Sequence, residues 1–171
     1  MTVDAVKAYW EAYLASLPPS ERAAPARYTA WGFGNTPEMA DELGDLVVRG
    51  IKTATCSLFW EYEAGPEPLP QAGEMSIILN GAGAPICIIE TLEIEIKPYN
   101  QVEAGFASEE GEGDRSLAYW RQAHWRFFKK GCQALGKELS ESMPLVCERF
   151  KVVWVGEGDT ARPAPGTRSA P

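Results

Sequence analysis

Apolar residues spaced three and four apart predict the first element. Val3, Val6, Trp10, Tyr13, Leu14 and Leu17 recur in this way, whereas Asp4, Lys7, Glu11 and Ser16 fall largely on the other side. That is the pattern of an amphipathic helix over residues 2–17, its rings docked against a core. Pro18-Pro19 ends it, and residues 18–30, rich in Ala, Pro and charge, read as a linking loop with a short helical turn near Glu21. A second helix runs from Asn35 or Thr36 to Arg49. Pro37 suits its first position, where an N–H would have no partner, and Leu43, Leu46, Val47 and Val48 carry its apolar side. Gly50 then provides the left-handed residue that such a helix end favours.

Beyond Gly50 the period shortens to that of strands. Residues 55–60 read as a strand, with Glu61-Tyr62-Glu63 either extending it or turning helical. Residues 74–79 and 85–96 are the strongest strand signals, joined through Asn80-Gly81-Ala82-Gly83-Ala84. Leu92, Ile94 and Ile96 alternate with Thr91, Glu93 and Glu95, which predicts an apolar core face and a wet face. A long helix follows from about Ser116 to Leu135, capped by Ser116 or Asp114. Leu117, Trp120, His124 and Phe127 form its stripe, and Gly136 its exit. Residues 145–155 close the fold as a strand. Residues after Gly156 lack apolar content and read as a flexible tail.

Composition narrows the function classes. The chain has 171 residues, 45% of them hydrophobic, enough for one domain with a real core. Its 24 acidic against 16 basic residues give a net charge of −8, which weighs against a broad phosphate-tracking surface but leaves room for a local positive pocket. Cys56, Cys87, Cys132 and Cys147 are widely spaced and His124 is the sole histidine, so a Cys/His zinc site is poorly supported. Buried thiols in a reducing cytoplasm are the simpler account, and neither a secretory signal nor an 18-residue apolar run is apparent. Neither a G-x-G-x-x-G fingerprint nor a P-loop occurs.

Candidate chemistry gathers in three segments. Gly50-Ile51-Lys52-Thr53-Ala54-Thr55 presents a cation and two hydroxyls just past a rigid turn. Trp31-Gly32-Phe33-Gly34 places two rings on bendable backbone, either to cover the core or to stack on a base. The run from Phe106 to Leu117 concentrates Glu109, Glu110, Glu112 and Asp114 beside Arg115, either as a solvated loop or as carboxylates offset by a cation.

The order and separation of these motifs, together with Tyr119-Trp120-Arg121 and His124, resemble the ASCH family, in the bacterial branch long carried as a domain of unknown function. The resemblance covers residues 25–156, leaving residues 1–24 as a helical extension and 157–171 as the tail. It implies an α+β, PUA-like fold: a mostly antiparallel β-barrel with helices packed on its side and a cleft near the G-x-K-x-x-T turn. It also implies binding of RNA or a nucleobase ligand, with some members linked to hydrolysis of acetylated cytidine or to RNA cleavage. Carried over by position, Lys52 and Thr55 match the motif's lysine and threonine, and Glu110 in Ala107-Ser108-Glu109-Glu110 matches the acid. Trp31, Phe33, Gly34, Thr53, Arg115 and His124 are the expected binding residues.

This resemblance leaves several activities open. Amide cleavage would need Lys52 neutral to take the proton of Thr55, with Glu110 shuttling a proton to the leaving amine of an N4-acetylated cytidine; no cofactor is involved. A ribonuclease would instead hold a divalent metal at Glu110, Glu112 and Asp114. If Lys52 stays charged, the same residues suit binding of short single-stranded RNA or a modified nucleoside without turnover. The aromatic helix could also serve a protein partner. The expected setting is cytoplasmic, with no membrane partner.

Overall fold

A computed structural model describes residues 3–22 and 28–156; the expected tail at 157–171 lies outside the described residues. In chain order the elements are α1 (Val3–Ser16), β1 (Tyr28–Trp31), α2 (Pro37–Val48), β2 (Ala54–Leu58), α3 (Phe59–Ala64), β3 (Met75–Leu79), β4 (Pro85–Pro98), a 3-10 turn (Tyr99–Gln101), α4 (Ala104–Glu109), α5 (Leu117–Ala134) and β5 (Pro144–Trp154). The chain divides into two compact units. One holds the described residues up to Gly50, Glu74–Glu90 and residues 151–156, and the other Ile51–Gly73 and Thr91–Phe150.

In the first unit the helical reading of the N-terminal segment holds. Val6, Trp10 and Tyr13 of α1 are buried with Ile77 and Ile88, and the Trp10 ring lies 4.8 Å from Tyr28. Thr36 caps α2, its Oγ1 accepting from Met39 N at 3.2 Å, and Pro37 opens the first turn. Gly50, at φ +69°, makes the expected left-handed exit. β1 pairs parallel to β3, and β3 pairs antiparallel with β4.

The second unit is built on β2 and β5, antiparallel with Cys56 opposite Cys147 and Thr55 opposite Glu148. Leu58, Phe106, Trp120, Phe128, Met143 and Leu145 are among its buried residues. Burying each such side chain contributes roughly 1.5–3 kcal/mol. Gly131 lets α5 approach β2 closely: a Cβ there would lie 2.8 Å from Leu58 Cδ1. Ser116 Oγ caps α5 by accepting from Tyr119 N, and Gly136 leaves the helix at φ +64°.

The expected barrel does not form. The strands follow the order β1-β3-β4-β5-β2, a mixed five-stranded sheet whose outer members, β1 and β2, do not pair with each other. Closure would need these edges to hydrogen-bond along a shared, staggered register. They have only four and five residues, and the β1–β3 pairing is parallel. The fold is therefore α+β with an open mixed sheet and helices.

Three local expectations also change. Phe59-Trp60 belongs to α3 because Leu58 is opposite Leu145, and the next partner would be Pro144, which has no N–H to offer a ladder. Along β4 the expected apolar core face at Leu92, Ile94 and Ile96 does not form: Thr91 is buried, Leu92 and Ile96 are about half exposed, and Glu93 and Glu95 are exposed as well. Thr91 is inside because its hydroxyl donates to the buried Glu148 carboxylate. On α5 the buried row is Trp120, His124, Phe128 and Cys132, so Phe128 replaces the expected Phe127 at strict four-residue steps.

Candidate functional site

Lys52 stands where the chain leaves the Gly50 turn, and the backbone on either side of it is tied down. Thr53 N donates to Glu109 O at 2.8 Å, and Thr53 O accepts from Phe150 N at 3.0 Å. The acidic run approaches from α4. Glu110 N donates to Phe106 O as the cap of that helix, and the chain reverses at Gly111, φ +74°. The reversal is tight, since a Cβ on Gly111 would sit 2.7 Å from Ile51 O. Arg115, itself at φ +63°, steadies the same segment by donating from Nε to Ser108 O at 3.1 Å.

The Gly111 turn places Glu110 and Glu112 around one ammonium. Lys52 Nζ donates to Glu110 Oε2 and Glu112 Oε1, each at 2.8 Å. Lys52 and Glu110 are each 1% exposed, whereas the Glu112 side chain is 19% exposed and forms the outlet of the cluster. The solvated-loop reading of the acidic run therefore fails for Glu110, whose charge has a built partner.

α5 supplies the other side. Trp120 and His124, one turn apart, stack at 4.4 Å and 17° between planes. Trp120 Nε1 donates to Glu110 Oε1 at 2.9 Å, and His124 Nε2 lies 3.4 Å from that same oxygen. His124 Nδ1 faces Trp120 O at 3.0 Å. A carbonyl only accepts, so Nδ1 carries a hydrogen, and Nε2 against a carboxylate favours a second proton. His124 is thereby favoured as imidazolium.

The charges reinforce one another. Burial pushes Lys52 down, but Glu110 and Glu112 more than offset it, so its affinity for the proton rises above the ordinary lysine value. Burial likewise opposes a charged His124, and Glu110 reverses that to a net rise. Burial would raise the Glu110 carboxyl, yet Lys52 first and His124 second hold it far below the usual carboxylate range. Two cations thus face two anions.

Cys56 lies beside this network. Burial, then Glu110, pushes its thiol well above the ordinary range, and the opposite Cys147 is pushed up to about 12 for the same reasons. These are poor conditions for a thiolate nucleophile. Ligand atoms of Cys56, Glu110 and His124 lie within 4.8 Å of one another, the one such trio among the described residues. Its fit to a metal is poor: both Glu110 oxygens already accept hydrogen bonds, and a dication would meet the Lys52 ammonium. The expected metal set of Glu110, Glu112 and Asp114 is not gathered, for Asp114 is occupied in accepting from Ser116 N at 2.8 Å.

Of the residues expected from sequence, Lys52, Glu110 and His124 therefore meet, and Thr53 and Arg115 hold the backbone that carries the acids. Thr55 does not join them. Strand alternation turns it to the face opposite Cys56, where its register partner is Glu148. Trp31, Phe33 and Gly34 belong to the other unit, the two rings touching edge-on at 4.6 Å. Sequence reasoning missed Trp120 as a donor to Glu110, although its i, i+4 spacing from His124 put both on one stripe. It also missed Cys56, which nothing but strand register could have aimed at the acid.

Comparison with known proteins agrees with this architecture. An ASCH domain family model matches residues 29–154. An ASCH domain of Lactobacillus crispatus JV V101 has a crystal structure at TM-score 0.84 and 40% identity, covering 89% of this chain and 96% of its own. A protein of Enterococcus faecalis V583, of the family model DUF984, has TM-score 0.80 and 37% identity, covering 91% and 97% respectively. No curated protein matches the chain. On the matched span and these likenesses, the chain belongs to the ASCH domain family, in its bacterial branch, with an ASCH/PUA-like fold and no helix among its described residues long and apolar enough to cross a membrane.

Proposed function

We propose that this ASCH domain recognises RNA or a small nucleobase-containing ligand at the cluster of Lys52, Glu110, Glu112 and His124, by binding and without turnover. The observation that carries this reading is the Lys52 ammonium held between two carboxylates. A lysine acting as general base has to be neutral, and a hydroxyl nucleophile has to lie within hydrogen-bond reach of it. Lys52 is held charged, and Thr55 is on the other face of β2. What remains suits recognition: Glu112 reaches the surface, and a carboxylate accepts from the exocyclic amine or ring N–H of a base. Membership of a family whose resemblance implies RNA binding supports the choice of a nucleobase.

The test incubates wild type, Lys52→Ala and Glu112→Gln with N4-acetylcytidine, cytidine and a short unstructured RNA, with divalent metal or chelator. Products are resolved by mass and binding is followed at equilibrium. The expected result is saturable binding, weakened in both variants, with every substrate intact. Deacetylation lost in Lys52→Ala and indifferent to chelator would replace this reading with an amidohydrolase. Chelator-sensitive RNA fragments would replace it with a ribonuclease, and absence of both binding and turnover would overturn it.

A further inference from the structure

Strand register brings two thiols face to face beside the cluster. Cys56 of β2 is directly opposite Cys147 of β5. The bond just before β2 fixes the phase of this ladder: Phe150 N donates to Thr53 O at 3.0 Å, and continuing the register makes those two residues opposites. Hydrogen-bonded and non-hydrogen-bonded opposites alternate along an antiparallel pair, so Thr55 and Glu148 are a bonded pair and Cys56 and Cys147 are not. Non-bonded opposites have Cα atoms about 4.5 Å apart and the closer side chains. A disulfide spans Cα separations of about 4.4–6.8 Å, so this pair can close without parting the strands. Both thiols are free.

The pair is also joined to Glu110. The Cys56 thiol donates to that carboxylate, and after burial the Glu110 charge is the next influence on both sulfurs. Cys56 Sγ, a Glu110 oxygen and a His124 nitrogen lie within 4.8 Å of one another. Drawing the Cys56 sulfur into a bond with Cys147 takes one donor from Glu110, leaving Lys52 and Trp120 among those that remain. The less compensated carboxylate then holds the His124 proton more tightly. Burial keeps both sulfurs as thiols, which makes the first attack slow, since the thiolate is the nucleophile. Placement favours the second step. Cys56 keeps partial exposure while Cys147 is 2% exposed, so an oxidant meets Cys56 first. Its sulfenic acid then has a thiol directly opposite with which to condense. The other cysteines lack such a neighbour: Cys87 is opposite Ile78, and Cys132 is on α5.

We propose that Cys56 and Cys147 form a reversible oxidation site, which a peroxide closes as a cross-strand disulfide and which thereby resets the hydrogen bonding of Glu110. Peroxide breaks its O–O bond on Cys56, giving a sulfenic acid and one water. The Cys147 sulfur then forms the S–S bond as the sulfenic oxygen leaves in a second water. The two thiols lose two electrons and two protons, and the peroxide is reduced to two waters. Reduction by a dithiol restores both thiols. This chemistry needs only the two sulfurs and Glu110, whatever the cluster binds.

The test treats the reduced full chain with excess hydrogen peroxide, blocks the remaining thiols and maps the digest by mass without reduction, while NMR follows the His124 titration. Peptides containing Cys56 and Cys147 should appear joined, lighter by two hydrogens than the separate pair, and dithiothreitol should part them. The His124 midpoint should move to higher pH on oxidation and return on reduction. Cys56→Ser keeps a hydroxyl donor for Glu110 but has no sulfur to link, so its midpoint should be the same with and without peroxide. Should that variant fail to fold, the wild-type map and titration still decide the outcome. Absence of the link, a link that forms only in urea, or Cys56 carried to the sulfinic acid with Cys147 still free would overturn the proposal. A link that leaves the His124 titration unmoved would overturn the coupling to Glu110. No ligand enters these measurements, so each of these failures leaves the reading of the cluster as a binding site intact.

Discussion

Replacing Lys52 by methionine removes one charge from a sealed network and leaves the other in place. Lys52 and Glu110 are each 1% exposed, so the carboxylate cannot turn to water when its ammonium is gone. Breaking a buried pair from one side costs about 3–5 kcal/mol. The lower part of that range is expected, because Trp120 Nε1 and His124 still hold Glu110 Oε1. With a urea dependence of roughly 2 kcal/mol per molar, about 3 kcal/mol moves the unfolding midpoint down by about 1.5 M. Removing both charges should hurt less than the sum of the single losses. Lys52→Met/Glu110→Gln should therefore regain about 1–2 kcal/mol in a double-mutant cycle. The assay is urea unfolding of the four proteins at pH 7. A single-variant loss below about 1 kcal/mol, or a coupling near zero, would refute the claim that this pair is buried and mutually dependent.

His124, the chain's one histidine, gives a single NMR titration, and its folded-state pKa should lie above the ordinary value of about 6.5. Its contribution to stability is then fully present below the unfolded value and is lost as pH rises through the folded one. The stability difference between wild type and His124→Asn should shrink over that rise. In Glu110→Gln the titration should move to lower pH, because burial then acts with less opposition; an unmoved midpoint would refute the pairing. For Glu110 the sign is opposite: its depressed value keeps its contribution intact above the unfolded carboxylate value and loses it only as pH falls through the folded one. Two glycines separate backbone strain from crowding. Gly50→Ala meets no atom within 4 Å and should cost only the left-handed penalty of roughly 1–2 kcal/mol, whereas Gly111→Ala also presses on Ile51 O. Thermal unfolding should show the Gly111 variant losing clearly more, with the His124 titration displaced as Glu110 shifts; equal losses would refute the close approach.

What the sequence determined by itself was local. Helical periodicity over Val3–Ser16, the Thr36-Pro37 start, the left-handed Gly50 and the Ser116 cap are properties of neighbouring residues, and each appears where its chemistry calls for it. The family motifs were legible too, and with them Lys52, Glu110 and His124. Tertiary structure decided what no short window contains. Whether the sheet closes depends on two edge strands distant in sequence, and whether Thr91 or Leu92 faces inward depends on a buried glutamate on another strand. The site divides in the same way. Spacing presented Lys52 and Thr55 as partners, but the two-residue alternation of a strand turns Thr55 and Cys56 to opposite faces, and the register opposite β5 gives Thr55 to Glu148. Charge was the least legible of all. A lysine and a glutamate 58 residues apart were each most simply solvated, and only the closeness of the Gly111 turn to Ile51 seals them together. Pairing energies depend on distance and burial, and folding sets both.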